Sequence, residues 1–392
     1  MKIWREYVTI EDIDQAYRDC KRRKGASQGY LEYSKDYLME NLRLYEQLNG
    51  MTYEVGKSRC FVVTRPKQRE VFCAQFRDRI VHHLLVSKFL PLLEAEMTDT
   101  AFACRKGKGT DYGIDHIRRE MERVSENYTR KAWAMKCDIE GFFMSIDRRL
   151  LFQHLKAILT GRYHGGNLDW WLWLWEKVVM NDPSRNCERV GDLTLWERLP
   201  RNKSLFTCGE GKGLPIGNLP SQVLANLLLS PFDKWMTARL ESGGYGRYVD
   251  DFVCVSTDKA LLLRLAHDAR IRLAKLGLRM HPRKFYLQEV RKGLEMTGAV
   301  IRQGRTYIGN RSVRNLFTTI EEWNEKTTHT DDERRKFARR MNSHFGHLVH
   351  RRTYAIRRKA WKGIKDRKGI CCVNMRKIRI TKNNKLLKQY DL

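Results

Sequence analysis

The sequence predicts an α+β protein in which helices flank short apolar strands that end in carboxylates. Three observations lead there. Residues 11–49 and 79–93 carry apolar side chains at helical spacing. Residues 132–137, Ala-Trp-Ala-Met-Lys-Cys, form a short apolar run closed by Asp138. Residues 245–255, Tyr-Gly-Arg-Tyr-Val-Asp-Asp-Phe-Val-Cys-Val, set an acidic pair inside an apolar stretch and follow Gly243-Gly244, the pattern of a hairpin.

Along the chain, Ile13, Ala16, Tyr17 and Cys20 mark a first helix. After a Gly-containing break, Tyr37, Leu38, Leu42, Leu44, Tyr45 and Leu48 mark a second. Arg69 to Phe72 reads as extended, and Arg79 to Leu93 as a helix with a broad apolar face. Residues 165–206 hold five of the ten tryptophans (Trp170, Trp171, Trp173, Trp175 and Trp196), and core packing is favoured over base stacking for them. Residues 219–240 read as one helix rich in Leu and Ala. Leu262, Leu265, Ala269, Leu273 and Leu276 line one side of an amphipathic helix over 261–276. A separate helical lobe is expected at the C-terminus. Thr330 and Glu333 have capping-box spacing there, and Phe337, Met341, Phe345 and Leu348 share one helix face. Residues 357–388 carry thirteen Lys or Arg and one acid, Asp366, a ratio that favours phosphate contact.

Composition narrows the partners. The 392 residues are 42% hydrophobic, enough for a sizeable core and for about two or three lobes. Lys and Arg number 75 against 46 Asp and Glu, a formal charge of +29. Such a charge calls for a polyanion: nucleic acid first, an anionic membrane surface second. No apolar run is long enough to span a bilayer, and the first residues lack the apolar stretch of a signal peptide, so a cytoplasmic protein is expected. Ten cysteines are scattered, with no Cys-x-x-Cys pair, which argues against a zinc ribbon or a disulfide framework and for reduced, mostly buried thiols.

The chemistry is expected at Tyr248-Val249-Asp250-Asp251. Adjacent carboxylates in an apolar strand repel each other and resist desolvation, so the fold must give them a cation. Asp138 ends a second apolar strand, with Phe142-Phe143 close behind. Oxygen ligands delivered from separate strands suit Mg²⁺, and a pair of such ions can activate a hydroxyl and hold a triphosphate.

These residues resemble a reverse transcriptase, and more closely the reverse transcriptases of diversity-generating retroelements. Asp138 with Phe143 matches the first catalytic motif of the palm, and Tyr248-Val249-Asp250-Asp251 the second. The subfamily likeness rests on Gly213-Leu214-Pro215-Ile216-Gly217-Asn218-Leu219-Pro220-Ser221-Gln222, where most reverse transcriptases have Gln before the second glycine. Trp196 to Phe206, Ala103 to Gly109 and Asn342 to Gly346 resemble it too, although His344 and Phe345 stand where Tyr and Leu are usual. The likeness runs from about Lys67 to Arg358.

The resemblance implies a right-hand polymerase of fingers, palm and helical thumb. Residues 1–130 would be N-terminal extension and fingers, 131–161 and 207–304 palm, 162–206 a return into the fingers, and 305–392 thumb and basic tail. Asp138 and Asp250 would bridge two Mg²⁺ ions, with Mn²⁺ a possible substitute. Asp251 is the third acid, and Ile139 would lend its carbonyl. Lys67 and Arg69 would hold the dNTP triphosphate, while Gly217 and Gln222 line the nucleotide pocket. Phe143 would block a ribose 2′-hydroxyl. Ile216, lacking the amide of Gln, would make a permissive pocket and error-prone copying at template adenines. Lys284 would protonate the leaving pyrophosphate. Arg105, Lys106, Lys108, Tyr248 and Gly298 would touch template or primer, although Met296-Thr297-Gly298 lacks the usual aromatic or Leu before Gly. The implied partners are a template RNA, its cDNA duplex and a small basic accessory protein, in a bacterial or phage-encoded, cytoplasmic setting without a membrane. Rival readings are a group II intron, retron or defence-associated reverse transcriptase, and a non-catalytic RNA-binding protein that keeps a polymerase fold.

Overall fold

The computed structural model describes residues 5–22, 27–64 and 67–380. The part of the basic C-terminal run beyond 380 lies outside the described residues. Two compact units are formed, one by 1–109, 135–254 and 260–286, the other by 110–134, 255–259 and 287–392.

In the first unit, the helices Ile10–Lys21, Gln28–Ser34 and Tyr37–Asn49 bear out the expected helical start. Thr9 caps the first of them with a reciprocal Asp12 contact. The helix Phe76–Glu96 is longer than its periodicity suggested and buries Ile80, Val81, Leu84, Leu85, Phe89 and Leu93. It packs on Ile10–Lys21 and on the helix Leu219–Leu228. Phe89 meets Trp171 edge-on and Trp175 at a tilt, and these two with Trp170 are buried in the helix Leu168–Met180. The tryptophan cluster is core. The single helix expected over 219–240 is two, Leu219–Leu228 and Ser230–Leu240, broken at Leu229. Pro231 is the physical reason: it has no N–H for a continuous ladder and belongs in a first helical turn.

A small sheet of the first unit places β1 (Ser58–Val63) between β2 (Arg69–Cys73), antiparallel to it, and β4 (Cys187–Arg189), parallel to it. The larger sheet combines β3 (Trp133–Ile139), β5 (Gly244–Tyr248), β6 (Asp251–Ser256) and β7 (Met280–Glu289) in the order β5-β6-β3-β7. Cys137 and Cys254 lie buried in adjacent strands, and burial pushes the Cys137 thiol up to about 12. All ten cysteines are free, and six are buried.

The second unit holds the helices Thr110–Val124, Asn310–Asn324, Asp331–Leu348 and Tyr354–Lys362. Its core joins Leu316, Ile320, Phe337, Met341, Phe345, Leu348 and Trp361. The Thr330–Glu333 capping box forms as expected. The C-terminal lobe is not wholly helical. It also contains the hairpin of β11 (Ile370–Val373) and β12 (Lys377–Ile380), and its first strand, β10 (Arg305–Ile308), completes a meander with β8 (Leu294–Met296) and β9 (Ala299–Arg302). Short strands such as Ile370-Cys371-Cys372-Val373 sit inside a cation-rich run, where charge hides their alternation. Among the described residues no helix is long and apolar enough to cross a membrane.

Candidate active site

The central sheet delivers three carboxylates to one neighbourhood. Asp138 lies at the end of β3 and is largely buried. Asp250 occupies the turn between β5 and β6, and Asp251 opens β6. The Ile139 N–H donates to the Asp250 carbonyl at 3.0 Å, which ties the strand end to the hairpin tip. Val249, just before Asp250, has φ 58°. A β-branched residue in the left-handed region is an outlier that costs roughly 1–3 kcal/mol and persists only where its surroundings impose it.

Electrostatics at the tip follow from crowding. Burial, then Asp251 and Asp138, push the Asp250 carboxyl up to about 6. Burial also raises Asp251, against the opposing pull of Lys136, whose Nζ stands 3.5 Å from an Asp251 oxygen. Lys284 Nζ, from β7, donates to both oxygens of Asp138 at 3.0 and 2.9 Å. Burial alone would lower the Lys284 ammonium, but its hydrogen bonds to Asp138 outweigh that and hold it raised. Asp250 makes no such ion pair among the described residues.

In this arrangement no three His, Cys, Asp or Glu side chains among the described residues converge tightly enough to hold an ion. The donor chemistry nonetheless fits a hard divalent cation, because three carboxylates and strand-end carbonyls offer only oxygen; the two lysines now hold two of these acids.

Around this centre the structure gathers some expected residues and leaves others apart. Phe143 and Ile216 pack together against a cluster of Cys60, Phe72, Met144 and Leu205. The Leu214 N–H donates to the Phe143 carbonyl and the Phe72 N–H to the Ile216 carbonyl, each at 2.8 Å, so the 214–217 segment lies between the first catalytic motif and β2. Gly217 has φ 114°, and a Cβ there would meet the Phe72 carbonyl oxygen at 2.6 Å, so the close approach to β2 requires glycine. Gln222 is partly buried in the following helix. Lys67 and Arg69 are exposed, the latter at the start of β2.

Arg105 donates to the carbonyls of Thr98 and Ala101 at 2.6 and 3.2 Å, and Lys108 to the Asp99 carboxylate at 2.7 Å. Arg105 also pairs with Glu94 at 3.4 Å, and Lys106 beside it is exposed. Tyr248 is partly exposed at the end of β5. Gly298 lies in the second unit at the β8–β9 turn, with φ 83° and its carbonyl accepting from the Gly309 N–H at 2.8 Å.

Sequence reasoning missed three groups. Glu70 is fully buried on β2 and accepts from Trp196 Nε1 and Ser204 Oγ, both at 2.8 Å, and from the Leu205 N–H at 2.7 Å. It anchors the 196–205 segment beside the Phe143–Ile216 cluster. Lys136 pairs with Asp251, and Arg247 lies fully buried beneath the hairpin tip. Each is a charged residue within a short strand, which is the signal that could have found them.

Helices packed around a central sheet, with acids at adjacent strand ends, define the class: a polymerase-type fold. Residues 57–308 match the family described as reverse transcriptase (RNA-dependent DNA polymerase), and the chain belongs to that family. Protein YkfC of Escherichia coli K12 is 22% identical over 302 residues, 68% of this chain and 72% of that protein. Among solved structures, apo telomerase of Candida tropicalis matches with a TM-score of 0.50 and 10% identity, covering 79% of this chain and 56% of its own. The same telomerase truncated from its C-terminal domain matches with a TM-score of 0.48 and 12% identity, covering 64% of this chain and 54% of its own. The chain thus spans just over half the length of the telomerase chains it matches.

Proposed function

We propose that this protein is an RNA-directed DNA polymerase that copies the template RNA of a retroelement into cDNA, and that it belongs to the diversity-generating kind. The observation that carries the first part is the meeting of Asp138, Asp250 and Asp251 on adjacent strand ends within a chain of this family. Divalent ions bound there would supply the charge that activates the primer 3′-hydroxyl and steadies the leaving pyrophosphate. Asp138, Asp250 and Asp251, with the Ile139 carbonyl, are the groups that would hold them. Lys284, released from Asp138, would give its proton to the leaving pyrophosphate as general acid. Phe143 walls the pocket where a ribose 2′-hydroxyl would sit. Lys67 and Arg69 offer exposed cations to the triphosphate.

The diversity-generating assignment is supported by Ile216. Its side chain joins an apolar cluster with Phe143 and presents no amide to an incoming nucleotide. A pocket that forms fewer buried hydrogen bonds discriminates less, since each unmade one costs about 1–3 kcal/mol. We assign an N-terminal extension and fingers to 1–130, a return into the fingers to 162–206, palm to 131–161 and 207–304, and thumb with the C-terminal tail to 305–392, with a small basic accessory protein as partner.

The test is direct. Purified protein with Mg²⁺, dNTPs and a structured RNA makes cDNA, and Asp250→Asn abolishes it. Equal synthesis by both proteins rejects the mechanism.

A further inference from the structure

Arg247 and Asp233 are both fully buried. The guanidinium grips the carboxylate with two parallel bonds, Nε to Oδ1 at 2.8 Å and Nη2 to Oδ2 at 2.6 Å. The Tyr245 hydroxyl donates to the same carboxylate at 2.7 Å. The remaining nitrogen, Nη1, donates to the Val249 carbonyl at 2.8 Å and to Asn226 Oδ1 at 3.2 Å. Asn226 in turn donates to the Ala103 carbonyl at 2.7 Å. The Arg247 backbone pairs with the 100–102 segment, its N–H to Thr100 and its carbonyl from Phe102.

A buried ion pair is weak evidence for a stabilising role, because apolar residues of like size often serve stability as well or better. What distinguishes this one is its third contact. The Val249 carbonyl belongs to the peptide unit that leads into Asp250. The unit that leaves Asp250 is held on its other side, by the Ile139 N–H on the Asp250 carbonyl. Both peptide units flanking the Asp250 Cα are therefore held, and with them the direction of its Cα–Cβ bond. Val249 stays in its left-handed conformation because its carbonyl is held from beneath.

We propose that Arg247 is a positioning residue for nucleotidyl transfer. Braced on Asp233 and Asn226, it holds the Val249–Asp250 peptide so that the Asp250 carboxylate faces the metal-binding position. Lysine cannot replace it. A single ammonium neutralises Asp233 but lacks the planar fork that reaches the carboxylate, Asn226 and the Val249 carbonyl at once.

The proposal rests on the polymerase reading, and its experiment separates the two. Primer extension by wild type, Asp250→Asn, Arg247→Lys and Asn226→Ala is measured with dNTP and Mg²⁺ titrations, well below each protein's melting temperature. Arg247→Lys lowers kcat about tenfold or more, since small misplacement of a reacting group has effects of that size. The dNTP KM stays within roughly twofold, because Arg247 touches no nucleotide, while the Mg²⁺ concentration for half-maximal rate rises. Asn226→Ala changes no charge and keeps the Arg247–Asp233 pair, so it folds even if Arg247→Lys does not. It moves kcat and the Mg²⁺ midpoint the same way, by less. A lowered melting temperature with unchanged kcat and Mg²⁺ midpoint in both folded variants, or an unchanged Asn226→Ala where Arg247→Lys does not fold, overturns the positioning role. Inactive wild type, or active Asp250→Asn, overturns the polymerase reading instead.

Discussion

Asp250→Asn should remove activity and yet stabilise the metal-free protein. In that state Asp250 carries a charge that burial and two neighbouring acids oppose, which lifts its carboxyl from the ordinary 3.8 to about 6. A folded-state value above the unfolded one means that the folded protein binds the proton more tightly. The penalty on folding is thus absent below the unfolded value, grows as pH rises between the two, and is complete above about pH 6. A shift of this size corresponds to at most about 3 kcal/mol, and to roughly 1–2 kcal/mol once solvent screening at the hairpin tip is allowed for. Asparagine keeps the shape without the charge. In thermal melts with a chelator at pH 7.5, the variant should unfold roughly 2–4 °C above wild type. The gap should close as pH falls toward 4. Mg²⁺ at pH 7.5 should raise the wild type more than the variant, since an ion bound to the acids stabilises only the state that holds it. A variant that melts at or below wild type at pH 7.5, or a gap indifferent to pH, would refute this account of the site.

Three further perturbations probe the surroundings. Glu70→Gln sets an amide N–H against either the Leu205 N–H or Trp196 Nε1; the lost charge-assisted bond and the stranded donor together cost about 3 kcal/mol, which a urea unfolding series would read as a lower midpoint at unchanged slope. Gly217→Ala drives a Cβ to 2.6 Å from the Phe72 carbonyl oxygen and 2.9 Å from Val71 Cγ1 at φ 114°; nucleotide KM should rise and the melting temperature fall, whereas wild-type values in both would show that β2 and the 217 loop are not in firm contact. Ile216→Gln should lower misincorporation opposite template adenines, as scored by sequencing cDNA; an unchanged error spectrum removes the support that Ile216 lends to a diversity-generating assignment.

Much of the frame was legible because periodicity is local. The capping box at Thr330, the hairpin around Asp250 and the strand carrying Asp138 each announce themselves within about ten residues, the range over which helical and strand patterns repeat. The break at Leu229 was missed because a serine-proline pair can open a helix as readily as it ends one, and neighbouring apolar residues masked the boundary. The hairpin of β11 and β12 was hidden by flanking lysines and arginines. Within the site, the acids were legible as a motif. Their partners were not, because Arg247 with Asp233, Glu70 with Trp196 and Lys284 with Asp138 are joined across 14, 126 and 146 residues. The contacts of Arg105 were equally invisible: in a glycine-containing loop it donates to the carbonyls of Thr98 and Ala101.

Asp138 and Asp251 each come with a tethered ammonium, from Lys284 and Lys136. Most of the negative charge at these strand ends is thus balanced from within the chain, so folding need not wait for an ion to arrive. Under the proposed function, ion entry would be an exchange in which a cation displaces a lysine already in place, and affinity would be weaker than three bare carboxylates would give. On that reading the fold would outlast a scarcity of divalent cations, and readiness to work would track their supply.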